Sequence, residues 1–128
     1  MKTLIYITIL FITTNVVGQT NSERDASMCG IHFSSEVKRK FTSKDFMSCD
    51  YRIMALDTNY KVVSFRISIA GQGISYSENS IKGNQIPKEF QDYFMTGTKR
   101  NIMLEYIKSV NHQGQELLLN PISIRLNY

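Results

Sequence analysis

The chain has 128 residues, 42% of them hydrophobic and 20% charged, a balance that fits a folded globular domain and excludes a disordered or fibrous chain. Its formal net charge of +4 is too mild to point to nucleic acid, whose recognition takes basic residues gathered on one face. The one basic cluster, Lys38-Arg39-Lys40, lies between Glu36 and Asp45 and reads as a solvated segment.

Met1-Lys2-Thr3 is a short basic start, and Leu4 to Ile12 is an apolar run closed by Thr13, Thr14 and Asn15. With small Gly18 following Val16 and Val17, this is the pattern of a secretory signal peptide. The run is shorter than the roughly 20 residues a spanning helix needs, so no membrane span is expected after its removal. Cleavage is expected after Gly18, which makes residues 1–18 the signal and Gln19 the first residue of an exported, periplasmic or secreted chain. The remaining stretch of about 110 residues has room for one compact core. It divides into a polar, partly ordered segment over 19–48 and a β-domain over 49–128.

Cys29 and Cys49 are the only cysteines. In an oxidising compartment they could pair, and the alternative is two unrelated buried thiols; the spacing alone leaves both open. It matches neither a Cys-x-x-Cys redox motif nor a zinc pattern.

Gln19 to Ser27 is polar and aperiodic, which predicts a flexible leader. Gly30 to Phe33 reads as a short strand. Ser34 to Ser48 reads as a mobile segment with one helical turn near Ser43–Phe46, capped by Ser43. Tyr51, Ile53 and Ala55 alternate with Arg52, Met54 and Leu56, predicting a strand that closes in a turn at Asp57-Thr58-Asn59. Val63, Phe65, Ile67 and Ile69 alternate with Ser64, Arg66 and Ser68, so those four are expected on one core-facing side. Gly71-Gln72-Gly73 can break or bulge this strand, Ile74 to Tyr76 continues it, and polar Ser77 to Gln85 follows with a turn at Lys82-Gly83-Asn84.

The spacing of Ile86, Phe90, Tyr93 and Phe94 predicts one short helix, with Pro87 at its first position and Gly97 ending it. From Gly97 to Tyr128 two apolar arms flank the turn Asn111-His112-Gln113-Gly114. Ile102, Leu104 and Tyr106 alternate on the first arm and Ile122, Ile124 and Leu126 on the second, predicting a β-hairpin that gives one apolar face to the core. The fold class that results is mainly β: a single immunoglobulin-like or sandwich-like domain with one short helix near the carboxy-terminal hairpin.

No catalytic signature stands out. His32 and His112 have no metal-ligand spacing, no Gly-x-Ser-x-Gly elbow is present, and Gly71-Gln72-Gly73 lacks the rest of a nucleotide-binding fingerprint. Asp50 and Asp57 fit turn caps better than paired acid–base carboxylates. The reading therefore assigns no catalytic, metal or cofactor residue and no enzyme activity.

Met54-Ala55-Leu56-Asp57-Thr58-Asn59-Tyr60, Val63-Ser64-Phe65, the helix ending near Gly97, Tyr106-Ile107-Lys108-Ser109-Val110 and Ile122-Ser123-Ile124-Arg125-Leu126 form one ordered set of motifs. Over Tyr51 to Leu126 the chain resembles the carboxy-terminal domain of GldM, a periplasmic protein of gliding motility and type IX secretion in Bacteroidetes. A full member carries a membrane helix and several periplasmic domains, so a single domain behind a signal resembles an accessory or repurposed module. The resemblance implies a non-enzymatic interaction domain whose partners are proteins, secretion or motility machinery among them, with self-association left open. The expected docking edges are the Asp50–Leu56 strand and the final strand, where Pro121 fits an edge. The alternative is a small secreted hydrolase or hydrolase inhibitor with a loop-built site.

Overall fold

The computed structural model describes residues 21–34 and 39–128; the expected signal peptide and its cleavage site lie outside them. Two short strands, Ala26–Met28 (β1) and Ile31–Phe33 (β2), pair through a two-residue turn. Cys29 and Gly30 in that turn have φ of 58° and 73°, the left-handed pair that matches the twist of a tight hairpin. Met54–Ala55 (β4) joins the other side of β1, giving a three-stranded sheet in the order β2-β1-β4.

The larger sheet has six strands among the described residues. Lys40–Phe41 (β3), Ile122–Leu126 (β9), Arg100–Val110 (β7), Lys61–Gly71 (β5) and Ile74–Lys82 (β6) lie side by side in that order, and Glu116–Leu119 (β8) pairs with the far half of β7. Between β6 and β7 runs a single helix, Lys88–Met95 (α1). The architecture is a mainly β, sandwich-like domain, as the periodicities predict.

Burial follows the apolar alternation. Ile53, Ile67, Ile86, Phe94, Leu104, Ile107, Ile124 and Leu126 are fully enclosed. A chain of rings ties the pieces together, with Phe33–Phe41, Phe41–Phe46, Phe46–Phe94 and Tyr51–Phe94 centroids 4.9–5.8 Å apart in tilted or edge-on contact. Two of these rings, Phe41 and Phe46, come from the stretch expected to be mobile. The expected flexible leader also contributes: residues 21–24 make a 3₁₀ turn, and Ala26 is fully buried opposite Ala55. Polarity concealed this because each short element places only one or two apolar side chains inward. The turn Ser43–Phe46 is 3₁₀ and is closed by Thr42, whose N–H donates to Asp45 Oδ2 at 2.9 Å; Ser43, the expected cap, instead donates to the Thr96 carbonyl.

A line of irregularities crosses the large sheet. On β5, Val62 and Phe65 both face the core, with Val63 and Ser64 between them. On β7, Leu104 and Ile107 both face inward around Glu105 and Tyr106, the latter at φ 49°. Where β8 gives way to β9, Leu119 and Ile122 both face inward around Asn120 and Pro121. Each strand carries an extra residue at the same level, so its alternation reverses there; the β5–β7 register shifts at Val62/Ser64 and back at Ser64/Arg66. Two expectations are corrected by this line. Val63 and Tyr106, predicted on the core face, are exposed, and Val62 and Ile107 take their places. The Asn111–Gly114 turn accordingly joins β7 to β8, and β9 returns along the near half of β7.

Gly71 marks a close approach: a Cβ there would lie 2.6 Å from the Lys99 carbonyl oxygen, so only glycine fits where β5 passes the start of β7.

Cys29 and Cys49 are joined in a disulfide that ties the β1–β2 turn to the loop before Tyr51, with their Cα atoms 4.8 Å apart. The bond closes a separation of 20 residues in a region of short strands. In the chain-entropy account a loop of that size contributes about 3 kcal/mol. Reduction, or Cys29→Ser with Cys49→Ser, is expected to lower the unfolding free energy by about that amount, read as a lower urea midpoint; an unchanged midpoint contradicts the staple.

Candidate functional site

The sequence-derived candidates lie in separate places. Asp57 organises its own turn, accepting from Asn59 N–H through the carboxylate and from Tyr60 N–H through its carbonyl. Asp50 likewise accepts from Arg52 N–H. His112 sits in the β7–β8 turn, which Asn111 holds together by accepting from Gln113 and Gln115 N–H. Among the described residues, no group of three or more His, Cys, Asp and Glu is arranged to hold a metal ion.

One constellation was not visible in the sequence. Asp25 is 1% exposed, its carboxylate 3.0 Å from His32 Nε2 on one oxygen and accepting from Asn120 Nδ2 at 3.0 Å on the other. Its carbonyl accepts from Leu56 N–H, and the neighbouring Arg24 carbonyl accepts from Asn120 N–H. This buried carboxylate thus joins the small sheet to the break between β8 and β9. Partners 7 and 95 residues away in the chain give no local signal.

Tyr51, at φ 58°, lies beneath α1, with its ring against Phe94 and its backbone bonded to Ile86. A shallow cavity of about 240 Å³ opens beside it, between the Ser43–Phe46 turn and α1. Burial pushes the Tyr51 hydroxyl above its ordinary value of 10.0, and the carboxylate of Asp92 pushes it further.

Edges are where the sheet arrangement bears most on function. The final strand is not an edge: β9 runs between β7 and β3, with Lys40 opposite Arg125 and Phe41 opposite Leu126. The predicted Asp50–Leu56 edge is reduced to Met54–Ala55, and Arg52 bridges to Gln85. The long edge is β6, which among the described residues pairs with β5 alone. Sequence reasoning missed it because Ser77 to Lys82 shows no apolar alternation. Apart from half-buried Ile74 and Ile81, which pack against the rim of the core, β6 buries little side-chain surface, so no apolar alternation is required of it.

The direction of the unpaired groups on β6 follows from one bond. Gly83 N–H donates to the Val63 carbonyl at 2.7 Å, while Ser64 is level with Lys82. In an antiparallel ladder this makes Ser64/Lys82 a non-hydrogen-bonded pair, and the pattern alternates from there. Ser77, Asn79 and Ile81 bond to β5; Glu78, Ser80 and Lys82 turn their N–H and C=O groups outward. The regular part of the edge ends at the bulge near Ser75 and Tyr76, where the register with β5 shifts.

At the opposite end β6 stops at the line of bulges, so Lys61 and Val62 have no β6 neighbour. A groove of about 580 Å³ opens there, floored by Ile53 and Val62 and rimmed by Met54, Thr58, Tyr60 and Asn84. Above the sheet, Arg66 holds Glu78 at 2.8 Å and Glu105 at 3.6 Å, and its guanidinium lies 4.4 Å over the Tyr106 ring. The outward turn of Tyr106 thus supplies the platform that holds Arg66 and Glu78 in place beside the edge.

No protein-family model matches this chain, and neither a curated protein nor a solved structure does. No helix among the described residues is long and apolar enough to cross a membrane.

Because the folded protein holds the Tyr51 proton more tightly than the unfolded chain, the associated stability is intact below pH 10 and is lost as pH rises through the raised value. Urea midpoints measured across the alkaline range are expected to fall above pH 10, with the fall reduced in Tyr51→Phe. Equal falls in both proteins contradict the assignment.

Proposed function

We propose that the protein is an exported, non-enzymatic interaction module that takes an extended strand of a protein partner along β6. The observation that carries this reading is the regular bare side of β6, whose Glu78, Ser80 and Lys82 direct donors and acceptors away from the domain. A row of unpaired backbone groups on an ordered strand is a template for another chain, and strand addition draws its affinity from those groups. The groove at the Lys82–Asn84 end adds an apolar floor, suited to a side chain of the incoming segment. The resemblance to the GldM carboxy-terminal domain makes components of secretion or gliding machinery the partner class to test first, and the signal-like amino-terminal pattern supports an encounter outside the cytoplasm.

Ser80→Pro tests the edge directly. Proline removes one outward N–H, leaves the bonds to β5 in place, and is tolerated on an edge strand. Wild-type protein used as bait on a cell-envelope extract is expected to retain a partner that the Ser80→Pro bait, with unchanged circular dichroism, does not. Equal retention by both contradicts the use of this edge.

A further inference from the structure

We infer that the strand taken by β6 is β6 of a second copy of this chain, paired antiparallel about a two-fold axis through Ser80. The inference rests on the reading of β6 as a strand-accepting edge and goes further in naming the partner. Two identical antiparallel edges can meet in only a few registers, and the side chains choose among them. Centring on Glu78 sets like charges directly opposite each other, which destabilises a sheet pair. Centring on Asn79 leaves Glu78 facing Ser80 and sends Lys82 to the bulged region of Tyr76, where the regular pattern of outward groups has ended.

Centring on Ser80 opposes Glu78 to Lys82 in both directions. It also uses every outward group of Glu78, Ser80 and Lys82, giving about six backbone hydrogen bonds across the axis. The charges are available for this. Lys82 has no ion-pair partner among the described residues. Glu78 gives one oxygen to Arg66, while the other receives only a 3.3 Å bond from the Tyr76 hydroxyl, so it retains acceptor capacity.

The line of the edge is clear past Lys82. Gly83, at φ 98°, turns the chain inward, Asn84 accepts from Ile53 N–H, and Ile86 is fully buried. A ladder this short falls below the roughly 1,200 Å² of a stable standard interface, so the association is weak and concentration-dependent. The pair would join two six-stranded sheets into one and remove the longest free edge of each.

Sedimentation of the full chain from about 1 μM to about 1 mM is expected to show a monomer–dimer equilibrium. Lys82→Glu alone and Glu78→Lys alone each weaken it by about tenfold or more, and mixing the two variants restores it, because the unlike copies again oppose acid to base. Ser80→Cys gives a second readout that does not depend on Glu78 keeping its contact with Arg66. Cys29 and Cys49 are already bonded, and hydrogen-bonded residues on an antiparallel two-fold lie about 5.5 Å apart at Cα, within disulfide reach. Its oxidised dimer is expected to form about tenfold faster than that of Ser75→Cys, an exposed position off the axis. A wild-type protein that stays monomeric, with Ser80→Cys cross-linking no faster than Ser75→Cys, overturns self-pairing. Strand capture from another protein would then stand or fall by the Ser80→Pro comparison, so the two failures are distinguishable.

Discussion

The extra residue that β5, β7 and the β8–β9 segment each insert at one level is the constraint on which the rest of this fold depends. A single bulge in one strand would break register with its neighbours and expose half an apolar face. Three aligned irregularities let the sheet change direction while Val62, Ile107 and Leu119 on one side of the line, and Phe65, Leu104 and Ile122 on the other, all face the core. The features described above lie along that line. Asn120 reaches Asp25 at one end, Tyr106 emerges under Arg66 in the middle, and β6 stops at Gly83 at the other end, leaving the groove beside Lys61 and Val62.

Where one face of a strand is buried, the sequence carried the answer. The alternation of Phe65, Ile67 and Ile69, of Ile102 and Leu104, and of Ile122, Ile124 and Leu126 specified strands and their inner sides. The spacing of Ile86, Phe90 and Phe94 specified the helix. The reversals at Val63 and Tyr106 were not legible, because a bulge is set by the neighbouring strand and leaves the local pattern of residue types unchanged. Gly30 to Phe33 was legible as a short strand, but the contribution of Ala26, Met28 and Phe41 was hidden for another reason: strands of two or three residues are too short to show a period.

The candidate site escaped for a related physical reason. Period-two reasoning finds strands that bury one face, and β6 buries almost none. Its order comes from hydrogen bonds to β5 and from the Arg66–Glu78 contact, with Asn79 opposite buried Ile67 yet itself exposed. The same absence of cover makes it available. Edge strands commonly carry charges that discourage indiscriminate pairing, and here Glu78 and Lys82 discourage most partners while matching one register of an identical strand. Specificity on this edge is thus written in two charges and the parity of the backbone.

Amide hydrogen exchange resolved along β6 in dilute protein tests this account most directly, because it reads which backbone groups are bonded to β5 and which are bare. The predicted result is an alternation, with Ser77, Asn79 and Ile81 protected and Glu78, Ser80 and Lys82 exchanging freely. Uniform protection from Ser77 to Lys82 would contradict it, since the edge would then already be covered by the chain itself.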